Sequence, residues 1–298
     1  MRLVGLDLGG TAVKAGAIDA DGTQRVTRSA PVDLSRGPGP VLDLLASLAR
    51  ELGVEQHVGL GTPGLVDAAR GLVLESPNLA CMREVPLRAE LARRLSIPES
   101  GVALANDANA AALGEHWLGT GQRERDFLLV TLGTGVGGGL ILDGRLYAGS
   151  GGMAGEIGHV VVDPNGRKCG CGGAGCLETL ASATAAKRRA NELGLSGDLI
   201  ELARIARERA GPERELFHAI GRDLGRGLAM AVSLLDLRCF LIGGGFSAAL
   251  DLMQSGVREG LHERSYGARI DSVRVLRAGL GADAGWIGAA RLLLPDPH

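Results

Sequence analysis

Three cysteines lie close together in a glycine-rich segment, at Cys169, Cys171 and Cys176, and His159 precedes the first of them by ten residues. Three thiolates and one imidazole complete the tetrahedral shell that Zn²⁺ takes in structural sites. A disulfide is disfavoured, because a Cys-x-Cys ring is strained and a third thiol would be left over. The spacing therefore predicts a zinc site, and four protein ligands give the ion a structural role because no position stays open.

Two carboxylates flank the predicted zinc ligands. Glu156 lies three residues before His159, and Glu178 lies two residues after Cys176. An ion that orders the histidine and the cysteine loop would order both carboxylates as well, and the second ring nitrogen of His159 could meet a ligand oxygen. Ordinary surface charge is the alternative for both glutamates, and their position around the metal site favours a ligand-binding role.

Glycine accounts for 48 of the 298 residues, about twice the usual share of roughly 7%. Glycine-rich turns after apolar strands expose backbone N–H groups and admit a phosphate close to the chain. Three such turns are Gly9, Gly10 and Thr11; Gly133, Thr134 and Gly135; and Gly243, Gly244 and Gly245. One turn alone is a weak signal, since hairpins also use glycine. None matches the P-loop pattern or the dinucleotide fingerprint, which disfavours hydride transfer.

Asp7 lies just before the first of these turns. A carboxylate beside a bound phosphate is repelled unless a cation lies between them, which predicts Mg²⁺ held largely through water. An Asp that closes a strand through a local side-chain bond is the alternative. Lys14 could reach a phosphate or be a solvated strand residue, and it is not included in the predicted site.

Asn106 and Asp107 follow a predicted strand and open a predicted helix. Both residue types cap helices well. A carboxylate at this place could also orient a hydroxyl and take its proton, as phosphoryl transfer to an alcohol requires. The two roles are compatible, and the spacing alone leaves them equally open.

The same order of elements occurs twice along the chain. A strand over 3–8 leads through a Gly/Thr turn to a strand over 13–18, and Asp-Gly turns the chain into a third strand. The order returns from residue 127 to residue 148. This indicates an internal repeat of two α/β domains, with two unrelated hairpins as the alternative.

We expect a smaller α/β domain over 1–106, joined by a C-terminal helix of about 284–298, and a larger domain over 107–283 that carries the zinc loop.

The chain is 45% hydrophobic and 22% charged with a net charge of −2, which is typical of a globular protein and predicts no nucleic-acid partner. No apolar run reaches the roughly 18 residues of a membrane span, and the N-terminus has no signal-peptide layout. We therefore predict a cytoplasmic protein with no membrane partner.

Together these motifs resemble the ROK family of sugar kinases and related regulators, and within it the bacterial glucokinases. The resemblance extends from Leu3 almost to the C-terminus. The matching segments are residues 7–11, 61–67, 106–110, 133–139, 156–159 and 169–178. The last two segments are the most specific.

The resemblance implies an actin-like (ribonuclease H-like) ATPase fold, with two domains that close around a sugar in an interdomain cleft. It makes Asp107 the catalytic base for the 6-hydroxyl of the sugar. It makes Asn106, Glu156, His159 and Glu178 the ligands of the sugar hydroxyls, and His159, Cys169, Cys171 and Cys176 the zinc ligands. It assigns the three glycine-rich turns to ATP, with Mg²⁺ bound to the nucleotide, and it implies a homodimer or homotetramer.

The predicted activity is therefore ATP-dependent phosphorylation of a hexose, with glucose as the first candidate and glycolysis as its context. Ala105 stands where glucokinases of the family often carry Glu, so N-acetylmannosamine, N-acetylglucosamine, mannose and fructose stay open as substrates. ATP is the expected donor, with polyphosphate as an alternative. A sugar-responsive transcription regulator is disfavoured, because the first strand leaves no room for a helix-turn-helix domain. An actin-like filament protein would need neither a zinc loop nor sugar ligands.

Overall fold

A computed structural model describes the backbone of residues 2–23, 25–76, 79–265 and 267–295, with the side chains of all of these except 267–269. The strands are β1 Arg2–Leu8, β2 Ala12–Asp19, β3 Val26–Pro31, β4 Val58–Thr62, β5 Leu65–Asp67, β6 Leu72–Glu75, β7 Val102–Asn106, β8 Phe127–Leu132, β9 Val136–Leu142, β10 Arg145–Leu146, β11 Cys239–Gly243 and β12 Arg274–Arg277. The α-helices are α1 Pro38–Glu51, α2 Leu87–Leu95, α3 Asp107–Leu118, α4 Glu178–Ala181, α5 Ala183–Glu192, α6 Leu199–Glu208, α7 Pro212–Leu235, α8 Leu250–Arg264 and α9 Ala284–Arg291.

Two five-stranded sheets share one topology. The first has the order β3-β2-β1-β4-β7, and the second has the order β10-β9-β8-β11-β12. In the first sheet β1, β2 and β3 are antiparallel neighbours, and β4 and β7 then continue the sheet parallel to β1. In the second sheet β11 is parallel to β8 on one side and to β12 on the other. The repeated strand order confirms the predicted internal repeat.

The contacts within the chain group it into two compact units. The first unit combines Met1–Arg125, Gly139–Gly155 and Ala282–His298, and the second combines Asp126–Gly138 and Glu156–Gly281. The limits of these units differ from the predicted domains, because α3 belongs to the first unit whereas the predicted larger domain begins with it. The predicted domain boundaries themselves stay a prediction.

Close packing of α9 explains why α3 belongs to the first unit. A Cβ on Gly288 of α9 would lie 1.5 Å from the carbonyl oxygen of Ala110 in α3. On the sheet side, a Cβ on Gly59 of β4 would lie 1.7 Å from the carbonyl oxygen of Ala289, and Trp286 is fully buried. Helix α9 therefore contacts both the sheet and α3 at distances that only glycine permits.

Helices α7 and α8 of the second unit approach each other in the same way. Glycines repeat at a spacing of four residues on both helices, Gly221 and Gly225 on α7 and Gly256 and Gly260 on α8. A Cβ on Gly225 would lie 2.2 Å from the carbonyl oxygen of Val257. The two helices thus pack backbone against backbone, and neither can yield by rotating a side chain.

We predict that Gly225→Ala lowers the free energy of unfolding by about 3 kcal/mol, the upper end of the usual overpacking cost. Gly39→Ala in α1 is the matched control, because nothing lies within 4 Å of a Cβ added there, and we expect it to change stability by less than about 1 kcal/mol. Urea denaturation followed by circular dichroism measures both. Equal stability of the two variants would contradict the packing argument.

Some elements differ from the sequence-based expectation. The helix expected from Ser247 begins at Leu250, because Gly244 takes a left-handed φ of 78° and a 3₁₀ turn over Gly245–Ala249 comes first. The small hairpin of β5 and β6 was not predicted. The last helix ends at Arg291, and the final residues of its expected range, 296–298, lie outside the described residues. Among the described helices, none is both long and apolar enough to span a bilayer.

Candidate active site and metal centre

The first unit presents polar residues where its parallel strands end. Strands β1, β4 and β7 are parallel neighbours, so their carboxyl ends meet at one edge of the sheet. The register pairs Asp7 with Gly61 and Thr62 with Asn106. Asp107 follows directly as the first residue of α3. The fold therefore gathers the predicted base, its neighbour Asn106 and Asp7 at the same edge, which is where ligands bind in open α/β sheets.

Both ends of the Asn106 side chain form hydrogen bonds within the protein. Its Oδ1 accepts hydrogen bonds from the amides of Ala108 at 2.9 Å and Asn109 at 3.3 Å, which makes it the N-cap of α3. Its Nδ2 donates to the carbonyl oxygen of Gly64 at 3.0 Å and so ties α3 to the turn after β4. The capping interpretation is confirmed, whereas the role of Asn106 as a sugar ligand stays a prediction.

The carboxyl group of Asp107 is half-buried at the start of α3. Desolvation by burial raises its pKa, and the amide of Ala108 and the side chain of Asn106 offset part of that increase. The Ala108 amide donates to Oδ1 at 2.9 Å, which fixes the orientation of the carboxyl group. A carboxylate with a raised pKa is a stronger base than an exposed one, as proton removal from an alcohol requires.

Asp7 lies in an electrostatically strained position. Burial, together with the negative charge of Asp107, raises its pKa to about 7, and Lys14 opposes this increase from the neighbouring strand. Gly285 of α9 makes room for the carboxyl group, since a Cβ there would lie 2.3 Å from Asp7 Oδ2. Two neighbouring carboxylates fit a divalent cation, because its charge removes their repulsion. Sequence reasoning missed the role of Gly285, which depends on how α9 packs.

Two of the glycine turns lie side by side in the second unit. The turn over 133–135 follows β8, and the turn over 243–245 follows β11, its parallel neighbour. Gly244 has a φ of 78°, and a Cβ on it would lie 2.3 Å from the carbonyl oxygen of Leu132. The third turn, at residues 9–11, belongs to the first unit and is closed by a 2.9 Å bond from the amide of Gly9 to the carbonyl of Ala12.

The predicted metal ligands converge in the second unit. One donor atom from each of His159, Cys169, Cys171 and Cys176 lies within 4.8 Å of all the others. The Cys171 and Cys176 sulfurs are 3.7 Å apart, and His159 Nδ1 is 3.7 Å from the Cys169 sulfur. At a Zn–S length of about 2.3 Å, two sulfurs of a tetrahedral site lie about 3.8 Å apart. The donor set therefore fits Zn²⁺ in both chemistry and spacing.

The cysteine loop is shaped by backbone bonds of its own. The Cys169 amide donates to the Gly173 carbonyl at 2.9 Å, and the Gly175 amide donates to the Arg167 carbonyl at 2.8 Å. Burial and the two neighbouring thiols raise the pKa of Cys176 to about 12. A bound metal reverses this effect, because a coordinating thiol is deprotonated.

The two flanking glutamates face different neighbours. Glu156 Oε2 lies 3.9 Å from His159 Nε2, the ring nitrogen that points away from the cysteines. Glu178 Oε2 accepts a 3.0 Å hydrogen bond from the Val136 amide, and its Oε1 lies 3.7 Å from the Cys169 sulfur. Glu178 therefore connects the metal loop to the turn over 133–135. The sugar-binding role of both glutamates stays a prediction.

The predicted site residues thus fall into two groups, each assembled by one unit. The first unit holds Asp7, Gly9, Gly10, Thr11, Asn106 and Asp107. The second unit holds Gly133, Thr134, Gly135, Glu156, His159, Cys169, Cys171, Cys176, Glu178, Gly243, Gly244 and Gly245. The two units share one strand order, with carboxylates at the strand ends of the first unit and two glycine turns at those of the second.

The family follows from comparison with known proteins. The model of the ROK family matches residues 3–295, and the chain belongs to the ROK family. It is 36% identical to a glucokinase of Thermotoga maritima, over 98% of this chain and 97% of that protein. It is 33% identical to an N-acetylmannosamine kinase of Shigella flexneri, over 98% of each chain.

A solved structure gives the same result for the fold. The crystal structure of a ROK family glucokinase from Streptomyces griseus, in complex with glucose and AMPPNP, is 34% identical. It superimposes with a TM-score of 0.81 over 98% of this chain and 99% of that one. These similarities confirm the predicted family, the predicted actin-like fold and the predicted class of enzyme, a hexose kinase.

We predict that the purified protein carries about one zinc ion per chain, bound by three thiolates and one imidazole. Cys176→Ser should lose most of this zinc and unfold at a lower temperature, because one ligand is removed. Cys81→Ser is the matched control, since Cys81 is half-buried and outside the cluster, and it should keep the zinc. Elemental analysis by mass spectrometry measures the content. Full zinc occupancy in Cys176→Ser would contradict the assignment.

Proposed function

We propose that the protein transfers the γ-phosphoryl group of ATP to the 6-hydroxyl of a hexose, and that glucose is its preferred substrate. The observation that carries the proposal is the similarity to glucokinase over nearly the whole chain, at 36% identity. The glucokinase of S. griseus, 34% identical, was solved with glucose and an ATP analogue. The segments that the family resemblance assigns to the sugar and to ATP are present in this chain.

The residues have separate roles in the proposed reaction. Asn106, Glu156, His159 and Glu178 hold the hydroxyls of the sugar. Asp107 orients the reacting hydroxyl and accepts its proton as the phosphoryl group arrives. The raised pKa of Asp107 suits this role, because the base must attract a proton from an alcohol. The backbone amides of the glycine turns hold the phosphates.

Two metal ions are part of the proposal. Asp7 would hold Mg²⁺, whose positive charge would offset the negative charge of the phosphate groups. His159, Cys169, Cys171 and Cys176 would hold Zn²⁺ in a closed structural site. The zinc loop would then keep His159 and Glu178 in place for the sugar. We further propose that the protein acts in the cytoplasm and in glycolysis, and that it forms a homodimer or homotetramer, as the family resemblance implies.

A second substrate is supported by a specific observation. An N-acetylmannosamine kinase of S. flexneri is 33% identical over the same extent of the chain. Ala105, just before Asn106 on β7, has a smaller side chain than the Glu often found there in glucokinases, so the family's usual carboxylate is lacking at this position. An N-acetylated hexose is therefore the second candidate. Polyphosphate is the second candidate for the donor.

We predict that wild-type protein with Mg²⁺ and ATP releases ADP fastest with glucose, when glucose, mannose, fructose, N-acetylglucosamine and N-acetylmannosamine are compared in a coupled assay. Asp107→Asn should lower kcat by about 10²–10⁴-fold, because the general base is lost. Asp21→Asn is the matched control, since Asp21 is exposed and, among the residues that the structure describes, its side chain bonds Thr23 of the same turn. It should retain wild-type kcat.

The outcomes separate the parts of the proposal. Preference for an N-acetylated hexose would show that glucose is not the preferred substrate, and the assignments of the base and the metal site would stand. Activity with polyphosphate but not with ATP would show that polyphosphate is the phosphoryl donor. An unchanged kcat in Asp107→Asn would show that Asp107 is not the general base. Activity with none of the five sugars, from either donor, would overturn the proposed function.

A further inference from the structure

Three hydrogen bonds tie the turn over 133–135 to the segment that leaves the cysteine loop. The amide of Ala183 donates to the carbonyl oxygen of Gly133 at 2.8 Å. The hydroxyl of Thr184 donates to the carbonyl oxygen of Thr134 at 2.8 Å. On the other side of the turn, the amide of Val136 donates to Glu178 Oε2 at 3.0 Å. The turn is therefore held from both sides by residues 178–184.

The direction of these bonds decides what the turn can bind. A trans peptide unit is planar, and its C=O and N–H groups point in opposite directions. Because the carbonyl groups of Gly133 and Thr134 point toward α5, the amides of Thr134 and Gly135 point away from it. These two amides belong to the turn that we assign to the phosphates of ATP. Fixing the carbonyl groups thus fixes the donors that face an anion.

Thr184 contacts the glycine turn through its side-chain hydroxyl group. Thr184 is an exposed residue in the first turn of α5, a helix capped by Ser182, whose side chain accepts a bond from the amide of Ala185. The fold of α5 therefore does not need the threonine hydroxyl. Its bond bridges 50 positions along the chain, to a backbone carbonyl group of the glycine turn. This placement gives the side chain a role outside its own helix.

We propose that Thr184 is a positioning residue for the nucleotide, which acts by holding the 133–135 turn with its amides directed at the phosphates. This inference rests on the proposed function, because it takes that turn as a phosphate site. Thr184 belongs to the segment that begins at Glu178, two residues after the metal ligand Cys176. The stretch of chain from Cys176 to Thr184 therefore connects the cysteine loop to the 133–135 turn, because its last two residues are hydrogen-bonded to that turn. An ordered cysteine loop thus helps to keep the turn ordered.

The test compares Thr184→Val, which keeps the shape and removes the hydroxyl, with Thr184→Ser, which restores it. Thr23→Val is the matched control, since the Thr23 hydroxyl is also exposed and bonds Asp21 in a hairpin of the first unit. Hydrogen–deuterium exchange of peptides that contain residues 133–136 is measured on the zinc-loaded proteins without substrate. We expect about fivefold faster exchange there in Thr184→Val, the usual effect of one lost hydrogen bond.

Steady-state kinetics of the same variants give the second measurement. The KM for ATP should rise about fivefold in Thr184→Val, while the KM for the hexose stays at its wild-type value. Thr184→Ser and Thr23→Val should behave as wild type in both measurements. This selectivity distinguishes a positioning role from general destabilisation, which would change both KM values.

Each other outcome has a definite meaning. Unchanged exchange at 133–136 in Thr184→Val would overturn the inference and leave the proposed function intact. Faster exchange throughout the second unit would overturn it as well, because the effect would then be general loss of stability. Faster exchange at the turn with an unchanged KM for ATP would show that the turn does not bind the nucleotide. Since exchange is measured without substrate, it tests the contact even if the wild-type protein phosphorylates no sugar.

Discussion

Contact between backbones, with no side chain in between, is the constraint on which both units depend. In the first unit, α9 can reach β4 and α3 only because Gly59 and Gly288 lack a Cβ. In the second unit, Gly225 and Gly256 allow α7 and α8 to pack in the same manner. Packing this close leaves little room for adjustment. The strand ends and helix starts that carry the polar residues are therefore held in fixed positions.

The same packing sets the electrostatics of the first unit. Gly285 of α9 lies against the carboxyl group of Asp7, and burial together with Asp107 raises the pKa of Asp7 to about 7. Two neighbouring half-buried carboxylates would destabilise a purely structural edge of a sheet, because removal from water disfavours their charged forms. Such an arrangement is typical of sites that bind cations and move protons. The stability that these two carboxylates cost the fold is thus connected to their proposed roles, which are binding of a cation and removal of a proton.

The sequence predicted those features that local chemistry determines. Cysteine and histidine spacing predicted a cluster that the structure assembles with 3.7 Å separations, and the repeated Gly/Thr and Asp-Gly turns predicted the repeated sheet. Features that depend on tertiary contacts were missed. Strands β5 and β6 are too short to give a periodic pattern, and nothing near Thr184 in sequence indicates a partner 50 residues away. Long-range packing alone places α3 with α9.

In the proposed reaction, Asp107 directs the phosphoryl group of ATP to the 6-hydroxyl of a hexose. The position of the new phosphate on the sugar shows which hydroxyl was activated. Phosphorus and carbon NMR of the products from ¹³C-labelled glucose and Mg-ATP should show glucose 6-phosphate and ADP in equal amounts. Phosphate on another hydroxyl, or free phosphate with unreacted glucose, would contradict this role of Asp107, because the base would then not select the 6-hydroxyl or would activate water instead.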